Sequence, residues 1–184
     1  NIRHSLSHLL AAAVLSLWPD TKMTIGPAID NGFYYDFDFD YNTGTRGLDA
    51  NQRGQVERIS DKDLPKIEKK MREILKKWDE FEKIEVSEKE AKEKFKDNPY
   101  KLELIKDIVK DGQKITFYKS GDFVDLCGGG HAESAKDIDP NSFKLNKTAG
   151  AYWRGSEKNK MLTRIYGLAF ESKEKLDEYL QMQE

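Results

Sequence analysis

The 184 residues include three histidines and one cysteine, which fall as His4-Ser-Leu-Ser-His8 and Cys127-Gly-Gly-Gly-His131. Each has a partner four positions away. On a helix that interval stacks His4 and His8 on one face, a turn apart, so both imidazoles can address a single atom. The second pair differs, because three consecutive glycines disfavour a helix interior and let the backbone fold tightly against a ligand. If the two pairs meet, three imidazoles and a thiol converge, a donor set suited to a tetrahedral metal site or a proton-transfer cluster. Plainer explanations exist: histidines at this spacing arise easily on a surface, and a lone cysteine is commonly a small buried hydrophobe. The use of every such residue in a pair favours one joint site. Position 5 is Ser, so the glutamate base of an HExxH metalloprotease is missing.

Composition bounds what surrounds these residues. Hydrophobic residues make up 38% and charged residues 35%, with a formal net charge of −2. This suits a single domain in the usual range of roughly 100–200 residues. One Cys excludes an intramolecular disulfide framework, no apolar run nears the roughly 18 residues of a membrane span, and no signal-peptide pattern opens the chain. A reducing, cytoplasmic setting without a membrane partner is expected. The opening Asn1-Ile2-Arg3 lacks an initiator Met, so a fragment of a longer protein is expected.

The elements that must position the four residues follow from periodicity. Leu6, Leu9, Leu10, Ala13, Val14 and Leu17 predict a first helix stopped at Pro19. Asn31-Gly32, followed by Phe33, Tyr35, Phe37 and Phe39 alternating with aspartates, predicts a β-hairpin. Residues 41–60 are polar and without period, which predicts a mobile loop or insertion. Leu64, Ile67, Met71, Ile74, Leu75 and Trp78 mark a second amphipathic helix, and residues 81–86 a strand. Ser87 with Glu90 forms a capping box, a helix spans about residues 100–110, and Ser172 caps a last one. Strands are expected over residues 114–119, 122–127, 143–153 and 161–170. The predicted class is α+β, with helices packed on one side of a largely antiparallel sheet.

Several segments carry a resemblance. Arg3-His4-Ser-Leu-Ser-His8-Leu9-Leu10, Ile25-Gly26-Pro27, Asn31-Gly32-Phe33-Tyr34-Tyr35-Asp36, Asp125-Leu126-Cys127 with its glycines and His131, and Thr148-Ala149-Gly150-Ala151-Tyr152-Trp153-Arg154-Gly155 resemble the editing domain of bacterial threonyl-tRNA synthetases. That is the second additional domain, related to alanyl-tRNA synthetase editing domains. The likeness spans nearly the whole chain and implies a single editing domain over residues 1–184. Gly129-Gly130 before His131 is the alanyl-like form, where threonyl enzymes commonly carry Gly-Pro.

The resemblance implies hydrolysis of the ester in seryl-tRNA(Thr), with the catalytic domain of a parent synthetase as a further partner. It implies His4, His8, Cys127 and His131 as the quartet, Lys101 and Asp125 as further catalytic residues, and Tyr35 with Asp125 as substrate contacts. A His would position or deprotonate water, Lys101 would stabilise the oxyanion and Asp125 would hold the substrate ammonium. Threonyl-type editing requires no cofactor, while the alanyl type holds zinc on the same four residues, so a zinc-dependent alanyl-type deacylase is the alternative. A non-catalytic tRNA-binding module is another. Lys144, Lys147, Arg154, Lys158, Lys160 and Arg164, with one acid (Glu157) among them, form a candidate phosphate-tracking strip with Tyr152 and Trp153 as its aromatics. An ordinary exposed hairpin would have the same composition.

Overall fold

The computed structural model describes residues 2–39, 59–126 and 135–183. Cys127, His131 and residues 41–58 of the expected loop lie outside the described residues. The first helix, α1 (Ile2–Leu17), ends just ahead of Pro19, which cannot continue a helix. Its apolar spacing predicts one buried stripe, yet every residue from 5 to 14 is buried. Ala11, Ala12 and Ala13 are small enough to be covered closely, so α1 is a central helix rather than a surface one.

On one side α1 meets an antiparallel sheet. The hairpin of β2 (Ala28–Ile29) and β3 (Gly32–Asp38) turns through Asp30 and Asn31, with Asn31 at φ 62°, a left-handed conformation that Asn tolerates. Phe33, Tyr35 and Phe37 alternate along β3 and are essentially inaccessible to solvent. β3 also pairs with β1 (Lys22–Met23) and with β8 (Met161–Ala169), which in turn pairs with β7 (Phe143–Tyr152).

The second helix, α2 (Leu64–Lys77), lays Leu64, Ile67, Met71 and Leu75 into the core and packs on α1. Its polar face serves the sheet edge: Glu68 Oε1 accepts from the Leu145 amide of β7 at 2.9 Å, and Arg72 Nε donates to the Pro140 carbonyl at 2.8 Å. Strand β4 (Glu82–Val86) precedes α3 (Glu88–Lys94), whose Ser87 and Glu90 make the expected capping box. Then come α4 (Pro99–Lys110), β5 (Ile115–Ser120) and β6 (Phe123–Leu126), and α5 (Lys173–Met182), capped by Ser172, closes the described chain.

The α+β class is as expected, but the described strands form two antiparallel sheets rather than one. β4, β5 and β6 pair in the order β4-β5-β6, apart from the β1-β3-β8-β7 sheet. α1 joins the two: it packs on β3 and reaches β5 and β6 through His8.

Where β3 and β8 pair, Phe33 lies opposite Gly167, and a Cβ added at Gly167 would stand 2.3 Å from the Phe33 ring. Gly167→Ala must therefore move a buried aromatic. A loss of about 1–3 kcal/mol is expected, the usual penalty of overpacking, measured by urea unfolding at constant m-value.

Candidate functional site

Four elements bring one side chain each to a common point. His8 comes from the buried middle of α1, Tyr35 from the core face of β3, Lys101 from the first turn of α4 and Asp125 from β6. None is more than 3% exposed. The position of Lys101 is set by Asn98, whose Oδ1 caps α4 by accepting from the amides of Tyr100 and Lys101, both at 3.1 Å. Asn98 Nδ2 donates to the Met23 carbonyl at 2.8 Å, which ties the start of α4 to β1.

Asp125 is the hub. Its Oδ2 accepts from His8 Nδ1 at 2.8 Å and from the Tyr35 hydroxyl at 2.7 Å. Its Oδ1 meets Lys101 Nζ at 2.5 Å and the Leu126 amide at 2.8 Å. Those four donors use the full acceptor capacity of a carboxylate. Burial by itself raises the carboxyl pKa, but the Lys101 charge and then the His8 hydrogen bond outweigh it and hold the group well below the usual carboxylate range. An ionised Asp125 only accepts, so the proton it shares with His8 sits on Nδ1. Burial first, and the Asp125 charge second, raise the Tyr35 hydroxyl well above its ordinary 10.0, which keeps it a donor.

Lys101 is equally committed, since Nζ also donates to the Thr24 carbonyl at 2.6 Å and to the Tyr35 hydroxyl at 3.1 Å. The His8 ring is also stacked by two neighbours. His4 lies with centroids 5.1 Å apart and planes 16° apart, and Tyr118 of β5 at 4.2 Å and 13°. Tyr118 escapes a reading of the sequence, where it is one more aromatic in an apolar strand. The Ile25-Gly26-Pro27 segment, which runs along β3, lies on Tyr35 so closely that a Cβ at Gly26 would come within 2.1 Å of the ring.

His4, His8, Tyr35, Lys101 and Asp125 line a cavity of about 600 Å³. Its apolar wall includes Ile25, Pro27, Leu104 and Ile108. A pocket of this size takes a small organic group. Carboxylate support of an imidazole is also how metal-ligating histidines are oriented. Among the described residues no three His, Cys, Asp or Glu are placed to hold a metal, and the other half of the quartet, Cys127 and His131, lies outside them.

Residues 115–166 match the family described as the threonyl and alanyl tRNA synthetase second additional domain. Over 182 residues, 99% of its length, the chain is 48% identical to a threonine–tRNA ligase of Borreliella burgdorferi (strain ZS7), of which it covers 28%. It is 50% identical over 180 residues to that of Clostridium botulinum (strain Alaska E43 / Type E3), with 98% of the chain and 25% of the relative covered. A Thermotoga maritima threonine–tRNA ligase matches at 48% over 184 residues, with 99% of the chain and 26% of the relative covered. These matches support a threonyl-tRNA synthetase editing-domain fragment. The chain spans about a quarter of the length of these relatives, and the similarity supports a role in tRNA synthetase editing.

None of the six cations of the basic strip is in the cavity lining, and three are engaged in ion pairs. Arg154 binds Glu103 and Asp107 of α4, Lys160 meets Asp38 at 2.9 Å, and Arg164 clasps Asp36 at 2.7 Å. Lys147 lies over the Tyr166 ring, 4.6 Å from its centroid. Lys144 and Lys158 are exposed, as is Tyr152, whereas Trp153 is buried against Tyr100. No helix of the described residues is long and apolar enough to cross a membrane.

Removing Lys101 would leave a buried carboxylate uncompensated. Lys101→Met is expected to cost about 3–5 kcal/mol in urea unfolding. Because folding depresses the Asp125 pKa, its stabilisation is full above the ordinary value of 3.8 and is lost as the pH falls below it. The stability gap between the parent and Asp125→Asn should therefore be widest near neutrality and narrow below about pH 4 in acid-unfolding curves.

Proposed function

We propose that the chain hydrolyses the ester of seryl-tRNA(Thr), as the editing part of a cytoplasmic threonyl-tRNA synthetase whose catalytic domain hands it the mischarged acceptor end. The observation that carries this reading is the His8–Asp125 pair, which fixes the orientation of the imidazole, on the wall of a cavity large enough for an aminoacylated nucleoside. An activated ester needs a positioned water, an acceptor for its proton and donors for the developing oxyanion.

His8 Nε2, buried in the substrate-free chain, takes the proton of a water admitted with the acceptor end, and Asp125 stabilises the imidazolium that results through Nδ1. Asp125 thereby acts through His8. Its four acceptor positions are filled, and a substrate ammonium would have to displace one of those donors. Lys101 is the nearest cation for the oxyanion. Of its three contacts the one to Tyr35 is the longest, at 3.1 Å, and is the one an oxyanion replaces at least cost. His4, stacked on His8 at the cavity wall, orders the attacking water. Cys127 and His131 complete the quartet in this proposal. No step requires a metal, and a chelator arm of the assay separates this from the zinc-dependent alanyl-type reaction.

The biological warrant is discrimination. A synthetic site for threonine rejects an analogue one methyl smaller by only about 1–3 kcal/mol, so a second pocket that admits serine and excludes the β-methyl supplies the rest. The purified chain is expected to deacylate seryl-tRNA(Thr) much faster than threonyl-tRNA(Thr), with chelator leaving the rate in place. Equal rates on both esters would reject the sieve, and a rate that collapses on chelation and returns with zinc would favour the alanyl-type reaction. His8→Ala should lower the single-turnover rate roughly 10²–10⁴-fold, the range for loss of a general base.

A further inference from the structure

We propose that Lys83, with Lys114 farther along the same cavity wall, binds the phosphodiester next to the ester-bearing end of the substrate, a contact that rests on the hydrolytic reading above. The register of the three-stranded sheet carries the argument. Lys83 of β4 pairs with Tyr118 of β5, and Tyr118 pairs with Asp125 of β6. Residues paired in this way share one face of the sheet, so Lys83, Tyr118 and Asp125 form a single cross-strand row. Adjacent strands lie about 4.8 Å apart, which puts the Lys83 backbone roughly 10 Å from that of Asp125. That span is short enough for an extended lysine to meet a nucleotide whose ester lies against His8.

Both Lys83 and Lys114 line the same cavity as His4, His8, Lys101 and Asp125. Their charges are also available in a way that the others are not. Lys101 is consumed by Asp125. Among the described residues Lys83 has no carboxylate within ion-pair distance, and Lys114 meets Glu85 only at 3.7 Å, with both side chains largely exposed. A pair of that kind contributes little and yields readily to a phosphate. Across the cavity the acidic Asp107 is answered by Arg154. The strip between Lys144 and Arg164 contributes no residue to the cavity lining, and Arg154, Lys160 and Arg164 spend their charge on Glu103, Asp107, Asp38 and Asp36. In an aminoacylated RNA the first phosphodiester is only one sugar from the ester. The cation that meets it must stand on the cavity wall, and β4 and β5 present it.

Charged residues on an edge strand such as β4 also serve simply to prevent strand addition. Two substrates separate that role from a phosphate contact: seryl-tRNA(Thr), and the serine ester of adenosine, which has no phosphate. For Lys83→Gln and the Lys83→Gln, Lys114→Gln double variant of this chain, the ratio of kcat/KM on the tRNA ester to that on the nucleoside ester should fall several-fold. The fall should lie in KM, and the slope of log(kcat/KM) against log salt should flatten by about 0.7 per lost contact. An unaltered ratio and slope would overturn the proposal, as would equal losses on both esters. If the wild-type chain hydrolyses neither ester, the hydrolytic reading fails by itself, and binding of uncharged tRNA(Thr) decides the phosphate contact. Weaker binding of the double variant at low salt then upholds it, and equal binding overturns it.

Discussion

A carboxylate that is 1% exposed keeps its charge only when every lone pair is answered, and Asp125 is answered from α1, β3, α4 and its own strand. That requirement holds separate parts of the molecule in register. If α4 shifted along its axis, Lys101 would leave the carboxylate. A one-residue slip of β6 would turn Asp125 to the other face of its sheet and bury a different side chain against His8. Asn98 and the Ile25-Gly26-Pro27 segment serve the same demand, one setting the start of α4 and the other closing over Tyr35.

The burial of α1 follows from similar logic. A helix covered all round has no solvent face on which to leave a polar side chain, so each polar group on it must be satisfied within the protein. His8 meets Asp125 along its edge and Tyr118 on its face, and Ser7 donates to the His4 carbonyl at 2.7 Å. The imidazole is therefore a rigid part of the core that also borders a cavity. Rigidity of that kind suits a proton acceptor, because its orientation need not be established during the reaction.

Charge elsewhere is arranged to cancel. Asp36 and Asp38 leave β3 on the face opposite the aromatic core and are nevertheless buried, each beside a cation from the β7–β8 region. Asp38 also accepts from the Tyr100 hydroxyl at 2.7 Å, so α4 is joined to the large sheet by the same acid. Positive charge that looks abundant along residues 144–164 is thus partly structural, and the exposed cations that border the cavity, Lys83 and Lys114, lie on the smaller sheet and at the entry to its β5.

The local elements were legible because their causes are local. The i, i+4 histidines on α1, the alternation along β3, the Asn31 turn and the Ser87 and Ser172 caps each depend on side chains within a turn or a few residues of backbone. The resemblance added Lys101, Tyr35 and Asp125, residues whose types alone fit a solvated helix charge, a core aromatic and a turn acid equally well. Their convergence, the stacking of Tyr118 on His8, the division of the strands into two sheets and the pairing of Arg164 with Asp36 were decided by tertiary structure. In each case the partners are distant in sequence, 117 residues apart for His8 and Asp125 and 128 for Arg164 and Asp36. Whether a charge is solvated or buried against its opposite depends on which strand arrives beside it, and that is settled only when the whole core packs.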